Sequence, residues 1–181
     1  YLTPEGWQTI SEFSETIVVR GAASEQLKVR ETVFGPVVAQ SSSGVPLALM
    51  WTAHYARGVN TGLAGLEGAD SIEQALDVAH ATGMPAQNLL VASADGRIAW
   101  TVIGPIPRRT GGGDPIFPID AATADSGWKG WYSGADIPSV LDPPSGRLWS
   151  ANARTMSGVE ATRIGDGGYT IGARARQIRD D

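Results

Sequence analysis

Only His54 and His80 could supply an imidazole base in this chain. Serine–histidine–acid catalysis needs such a base within reach of a nucleophile, with an oxyanion site beside it. No Gly-x-Ser-x-Gly elbow accompanies either histidine. His54 follows Met50-Trp51-Thr52 and reads as the end of a strand. His80 falls on the same side of an expected helix as Ile72 and Leu76, and no second metal-type ligand sits at suitable spacing. The absence of cysteine excludes a thiol nucleophile, thiolate metal sites and disulfides. Gly111-Gly-Gly-Asp-Pro115 is no phosphate cradle, because no Gly-Lys-Ser/Thr follows and no clear helix opens behind it. Read locally, Asn152 braces a loop through backbone hydrogen bonds, and Arg174, Arg176 and Arg179 form the basic face of a terminal helix. Catalysis by this chain alone is not expected.

The elements that must position these residues follow from pattern. Residues 10–20 and 26–33 are rich in β-branched side chains and partly alternate, with Gly21-Ala-Ala-Ser24 between them, so a hairpin is expected. Gly35-Pro36 ends the second strand, Ser41-Ser-Ser-Gly44 is a loop tip, and Leu47 to Thr52 reads as a short buried strand. Ser71-Ile-Glu-Gln74 has the form of a capping box, and Ile72, Ala75, Leu76 and Ala79 then share one helical face until Gly83 and Pro85 stop it. Residues 88–93 and 97–103 are apolar strands joined by Ala94-Asp95-Gly96, where Asp-Gly supplies the positive φ of a tight hairpin. Residues 104–126 read as irregular, Leu148 to Ala151 as a late strand, and Thr170 to Arg179 as a helix.

Composition narrows the class. The chain has 181 residues, 42% hydrophobic and 18% charged, enough for a folded core. Its 23 glycines and 11 prolines, clustered between segments, indicate a turn-rich β protein. A net charge of -5 gives no case for nucleic-acid binding. No apolar run approaches the roughly 20 residues of a membrane-spanning helix.

Six marks run almost end to end: Glu31-Thr-Val-Phe-Gly-Pro-Val-Val38, Asn88-Leu-Leu-Val-Ala-Ser-Ala-Asp-Gly-Arg-Ile98, Gly104-Pro-Ile-Pro-Arg-Arg109, Trp128-Lys-Gly-Trp131, Gly146-Arg-Leu-Trp-Ser-Ala-Asn152 and Arg174-Ala-Arg-Gln-Ile178. In this order and spacing they resemble the middle of the β chain of penicillin acylases, members of the N-terminal nucleophile hydrolase superfamily. The resemblance implies an α+β fold with a mixed or antiparallel sheet and few helices, part of an αββα core. That sheet is expected from the Leu47, Asn88, Arg97 and Leu148 strands, in a single piece with a β-ribbon region over 1–45 and sheet, helix and loops over 46–181.

In that family the first residue of the β chain attacks an amide carbonyl and its own α-amino group serves as base. The opening Tyr1-Leu-Thr-Pro-Glu-Gly-Trp7 looks like a β-ribbon downstream of that residue. The resemblance therefore implies a piece of an amidohydrolase cleaving a β-lactam side-chain amide, an N-acyl homoserine lactone or a similar small amide, inactive by itself. The implied partners are the rest of the β chain and the α chain, with self-association of the piece through an uncovered sheet face. One oxyanion donor is an asparagine of the late strand: Asn152 in one register, with Arg154 standing in its place in the other. Arg174 matches an arginine that organises this asparagine. Ser93 stands where relatives carry aspartate. Trp128 and Trp131 are expected to bury against the sheet. A structural calcium, which needs six to eight oxygens, would draw on the Pro115 carbonyl and Asp166, too few for the isolated piece to hold it. Export to the periplasm is also implied. The alternative is a non-catalytic β-rich binding domain of acylase-like descent, and the coding sequence upstream of Tyr1 discriminates: a self-cleavage junction favours the enzyme.

Overall fold

The structure is a computed structural model and describes residues 1–110, 117–123, 127–165 and 168–181. The chain forms two compact units, residues 1–54 with 110–127 and residues 55–109 with 128–181.

The first unit is built of antiparallel strands. A small ribbon pairs β1 (Leu2–Thr3) with β2 (Gly6–Trp7). A four-stranded sheet has the order β3 (Ser11–Ile17), β4 (Glu25–Thr32), β5 (Gly35–Gln40), β6 (Pro46–Ala48). The expected hairpin is β3–β4. Two of its turns use one device: Thr3 Oγ1 donates to the Gly6 carbonyl at 3.0 Å, and Thr32 Oγ1 to the Gly35 carbonyl at 2.9 Å. Gly35 has φ +118°, and a Cβ there would lie 2.2 Å from the Leu49 carbonyl oxygen, so only glycine fits. Ser41 to Val45 makes the loop between β5 and β6.

The second unit holds one helix against a three-stranded antiparallel sheet. Helix α1 (Ile72–Ala81) starts where expected: Ser71 Oγ accepts from the Gln74 amide at 3.2 Å. Gln74 reaches back one residue further than a capping box requires, its Oε1 accepting from the Asp70 amide at 2.8 Å. Strands β7 (Gln87–Ala92) and β8 (Ile98–Ile103) form the expected hairpin, with Gly96 at φ +89°. The Gly96 amide donates to the Ser93 carbonyl, which makes this a three-residue loop with its glycine in the left-handed region. Ser93 hydrogen-bonds Asp95 across that loop.

Along β8 successive side chains face opposite sides. Thr101 meets His80 of α1. Trp100 and Val102 join Ile106 and Ile137 in the core, with Tyr132, Val140, Leu148, Met156 and Ile164 packed around them.

Three expectations about elements change. Leu47 belongs to the sheet of the first unit, not to that of Asn88 and Arg97. The late strand at Leu148 does not form: Leu148 packs onto the core without joining a ladder. The third strand is β11 (Ser139–Leu141), three residues too few for a readable alternation. It is fixed by Asp142, whose carboxylate accepts from the Ile98 amide at 3.0 Å and from Arg97 Nε at 2.9 Å, while Arg97 Nη1 also meets Glu73 at 2.8 Å. Third, β9 (Pro107–Arg109), within the stretch read as irregular, forms a strand and pairs with β10 (Trp128–Trp131). Trp128 and Trp131 are half-buried; they contact each other and Tyr55 at centroid distances of 5.3–5.5 Å. A three-residue spacing would put them on opposite faces of a regular strand. The register shift between them, with Gly130 at φ +90°, brings them together.

The remaining helices are α2 (Gly158–Ile164) and α3 (Ala173–Asp180). Among the described residues no helix is long and apolar enough to cross a membrane.

Candidate functional site

The residues around Asn152 form a turn held at several points. Ala151 and Asn152 both have positive φ, +69° and +62°. Asparagine tolerates that conformation; alanine adopts it at a cost. The Asn152 carbonyl accepts from the Thr170 amide at 3.0 Å. Helix α3 carries Arg174 in its first turn, and Arg174 Nη2 donates to the Ala151 carbonyl at 3.2 Å and to Asn152 Oδ1 at 2.8 Å. Leu148 and Met156, one on each side in sequence, press into the Trp100 core. The turn is thus anchored to α3 and to the sheet.

This arrangement fixes the asparagine amide. A guanidinium has donors only, so the atom facing Arg174 must be the carbonyl oxygen. The amide nitrogen then points elsewhere, and among the described residues it donates to nothing. Asn152 is exposed. The group therefore presents two N–H bonds without adding charge. Arg154 is exposed as well and has no side-chain hydrogen bond or ion pair among the described residues. Arg176 and Arg179 pair with Asp180 on the helix surface, at 3.3 and 2.8 Å. Of the three helix arginines, only Arg174 turns to the Asn152 loop.

The strained backbone gives a test. Ala151→Gly is expected to shift unfolding free energy by less than about 1 kcal/mol, because relief of strain offsets the freer unfolded chain. Ala151→Val places a β-branched residue at positive φ and should cost about 1–3 kcal/mol. Urea denaturation of the complete protein measures both.

Neither histidine is hydrogen-bonded to this turn among the described residues. His54 lies in a single 3-10 turn, Thr52–His54, where its ring contacts Trp51 edge-on at 5.5 Å. His80 Nε2 lies 2.9 Å from Thr101 Oγ1, a hydroxyl–imidazole pair that sequence pattern did not reveal. Thr101 is wholly buried, and the same oxygen also contacts the Pro138 carbonyl at 3.1 Å and Ser139 Oγ at 2.9 Å. No substrate reaches such a hydroxyl. The pair clasps α1 to the sheet.

Burial pushes His80 below its ordinary value near 6.5, with nearby Asp77 acting weakly in the opposite sense. The unfolded chain therefore binds a proton here more readily than the folded one. The resulting destabilisation is absent above about pH 6.5 and grows as pH falls below that value. His80→Gln should flatten the loss of melting temperature between about pH 7 and pH 5. An unchanged slope in thermal melts would assign that loss to other groups.

A family model described as penicillin amidase matches residues 1–181. The chain belongs to the penicillin amidase family. It is 28% identical over 145 residues to the penicillin acylase 2 proenzyme of Pseudomonas sp. strain SE83, covering 79% of this chain and 19% of that protein. It is also 28% identical to the acyl-homoserine lactone acylase QuiP of two species. The Pseudomonas fluorescens protein matches over 156 residues, 83% of this chain and 19% of that one. The Pseudomonas aeruginosa protein matches over 169 residues, 86% of this chain and 20% of that one. Among solved structures, a thermostable penicillin G acylase from Alcaligenes faecalis superimposes with a TM-score of 0.74 at 24% identity, over 100% of this chain and 33% of the other. The chain thus spans about a fifth of the length of these curated relatives and shares the fold of that penicillin G acylase, with antiparallel sheets and few helices.

The calcium expectation rested on Pro115 and Asp166, and both lie outside the described residues. Among the described residues no group of three or more His, Asp or Glu side chains could hold a metal ion.

Proposed function

We propose that residues 1–181 contribute one oxyanion donor, Asn152, and part of the acyl-binding side to an amidohydrolase whose N-terminal nucleophile lies outside this chain. The contact between Arg174 and Asn152 Oδ1 carries the reading. In an amide-cleaving step a nucleophilic oxygen bonds to the carbonyl carbon, and the π electrons of the carbonyl move onto its oxygen. A neutral N–H donor placed at that oxygen stabilises the developing charge. Asn152, locked by an arginine that cannot accept a hydrogen bond, presents such a donor with its orientation settled beforehand. Collapse of the intermediate expels the amine, and water later releases the acid.

The substrate class is a small amide, either the side-chain amide of a β-lactam or an N-acyl homoserine lactone. The names of the curated relatives support both. We place the complete protein in the periplasm or outside the cell. The test is hydrolysis of penicillin G, N-acyl homoserine lactones and chromogenic phenylacetyl amides by the complete protein and by residues 1–181 alone. The complete protein should cleave at least one of them. Residues 1–181 should give no turnover above background, because the described residues offer one oxyanion donor and no activated hydroxyl. Turnover by residues 1–181 that is abolished by mutating His54 or one of their serines would overturn the proposal.

A further inference from the structure

The hairpin of β3 and β4 has two unlike faces. Among the described residues, beyond its junction with β5 at Glu31 and Thr32, β4 pairs only with β3. One face carries Glu12 opposite Arg30, Ser14 opposite Lys28, and Thr16 opposite Gln26, the last pair joined by side-chain hydrogen bonds. That face is polar and complete. On the other, Phe13 opposes Val29, Glu15 opposes Leu27, and Ile17 opposes Glu25. Phe13, Leu27 and Ile17 each keep nearly half of their surface in water, at 48%, 49% and 46%. A two-stranded ribbon is at best marginally stable in water, and one with a bare apolar face needs a cover.

Charge identifies the cover. The apolar face is flanked by Glu15, Glu25 and Glu31, and every basic residue of the two strands lies on the opposite face. A second copy docking by the same patch would set glutamates against glutamates. We infer that this face is an intramolecular docking surface, covered by an apolar segment edged with lysine or arginine from the remainder of the same acylase polypeptide. The size of the relatives supplies the source, since this chain spans only about a fifth of their length.

The chain contains no cysteine, which makes the test clean. In the complete protein, with any other cysteines replaced, maleimide should label Phe13→Cys and Leu27→Cys at least about tenfold more slowly than Ser14→Cys and Lys28→Cys, because a covered site must open first. Equal rates on the two faces overturn the inference. Replacing Phe13 by the photo-crosslinker benzoylphenylalanine, an aromatic of related shape, identifies the occupant without a truncated side chain. Cross-links should fall within the same molecule, outside residues 1–181, in a segment that contains lysine or arginine. Cross-links to a second copy, or only within residues 1–181, overturn it. Mixing isotopically light and heavy protein separates the two cases.

Discussion

Asn152→Ala in the complete protein is expected to lower turnover about 10²–10³-fold, the usual loss when one oxyanion donor is removed. KM should change little, because the hydrogen bond strengthens only as charge develops on the oxygen. Stability should fall by only about 1 kcal/mol, the cost of alanine at the positive φ of position 152, since the side chain is exposed and its one described partner, Arg174, can turn to water. A mere loop brace would behave differently: Asn152→Ala would then leave turnover nearly intact. The parallel variant Arg154→Ala settles the register. Arg154 has no side-chain partner among the described residues, so its removal should leave kcat within a few-fold of the parent. A large loss at Arg154 with none at Asn152 would transfer the role. Arg174→Lys probes the contact from the other side. Lysine keeps the charge but carries it on a shorter side chain as a rotating, strongly hydrated ammonium, so it holds the Ala151 carbonyl and Asn152 Oδ1 less rigidly than Arg174 Nη2, which donates to both. It should lower kcat by about tenfold, less than loss of the donor itself.

The fold was legible where one local rule decided it. Ser71 and the apolar spacing of Ile72, Ala75 and Ala79 marked α1, and Asp95-Gly96 marked the β7–β8 turn. Strand β11 was not legible, because Ser139–Leu141 is held by a carboxylate at Asp142 that binds an amide 44 residues away. Local pattern carries no trace of such a partner. The mistaken strand at Leu148 has a related cause. Its apolar character was real, but it serves packing against Trp100 rather than a ladder, and the following residues turn into the left-handed region. At the site, the resemblance pointed to Asn152 or Arg154 and to Arg174, and the structure places Arg174 Nη2 2.8 Å from Asn152 Oδ1. The backbone geometry at Ala151 gave no signal, since alanine is the wrong residue by which to anticipate positive φ. The His80–Thr101 clasp was equally hidden, because it joins a helix edge to a strand 21 residues later.

Trp100→Ala should cost about 3–5 kcal/mol of unfolding free energy, within the range for deleting a buried aromatic. Trp100 is 2% exposed on the central strand and belongs to the core cluster with Val102, Ile106 and Ile137. Leu148 and Met156 pack against that cluster from the loop that carries Asn152. The cavity left by the indole removes their support, so the variant should lose activity as well as stability. The indole N–H donates to Asn88 Oδ1 at 2.9 Å, and this bond can be separated from packing. Trp100→Phe keeps much of the ring volume while breaking the bond. Asn88 is exposed and can turn to water, so Trp100→Phe should cost about 1–2 kcal/mol, less than half the loss in the alanine variant. Urea midpoints at constant slope measure the two. Equal losses would make the Asn88 bond the dominant contribution and remove the link between this core and the Asn152 turn. A large loss for alanine, a small one for phenylalanine, and a kcat deficit in folded Trp100→Ala protein would tie the position of Asn152, the proposed oxyanion donor, to packing on the far side of its loop.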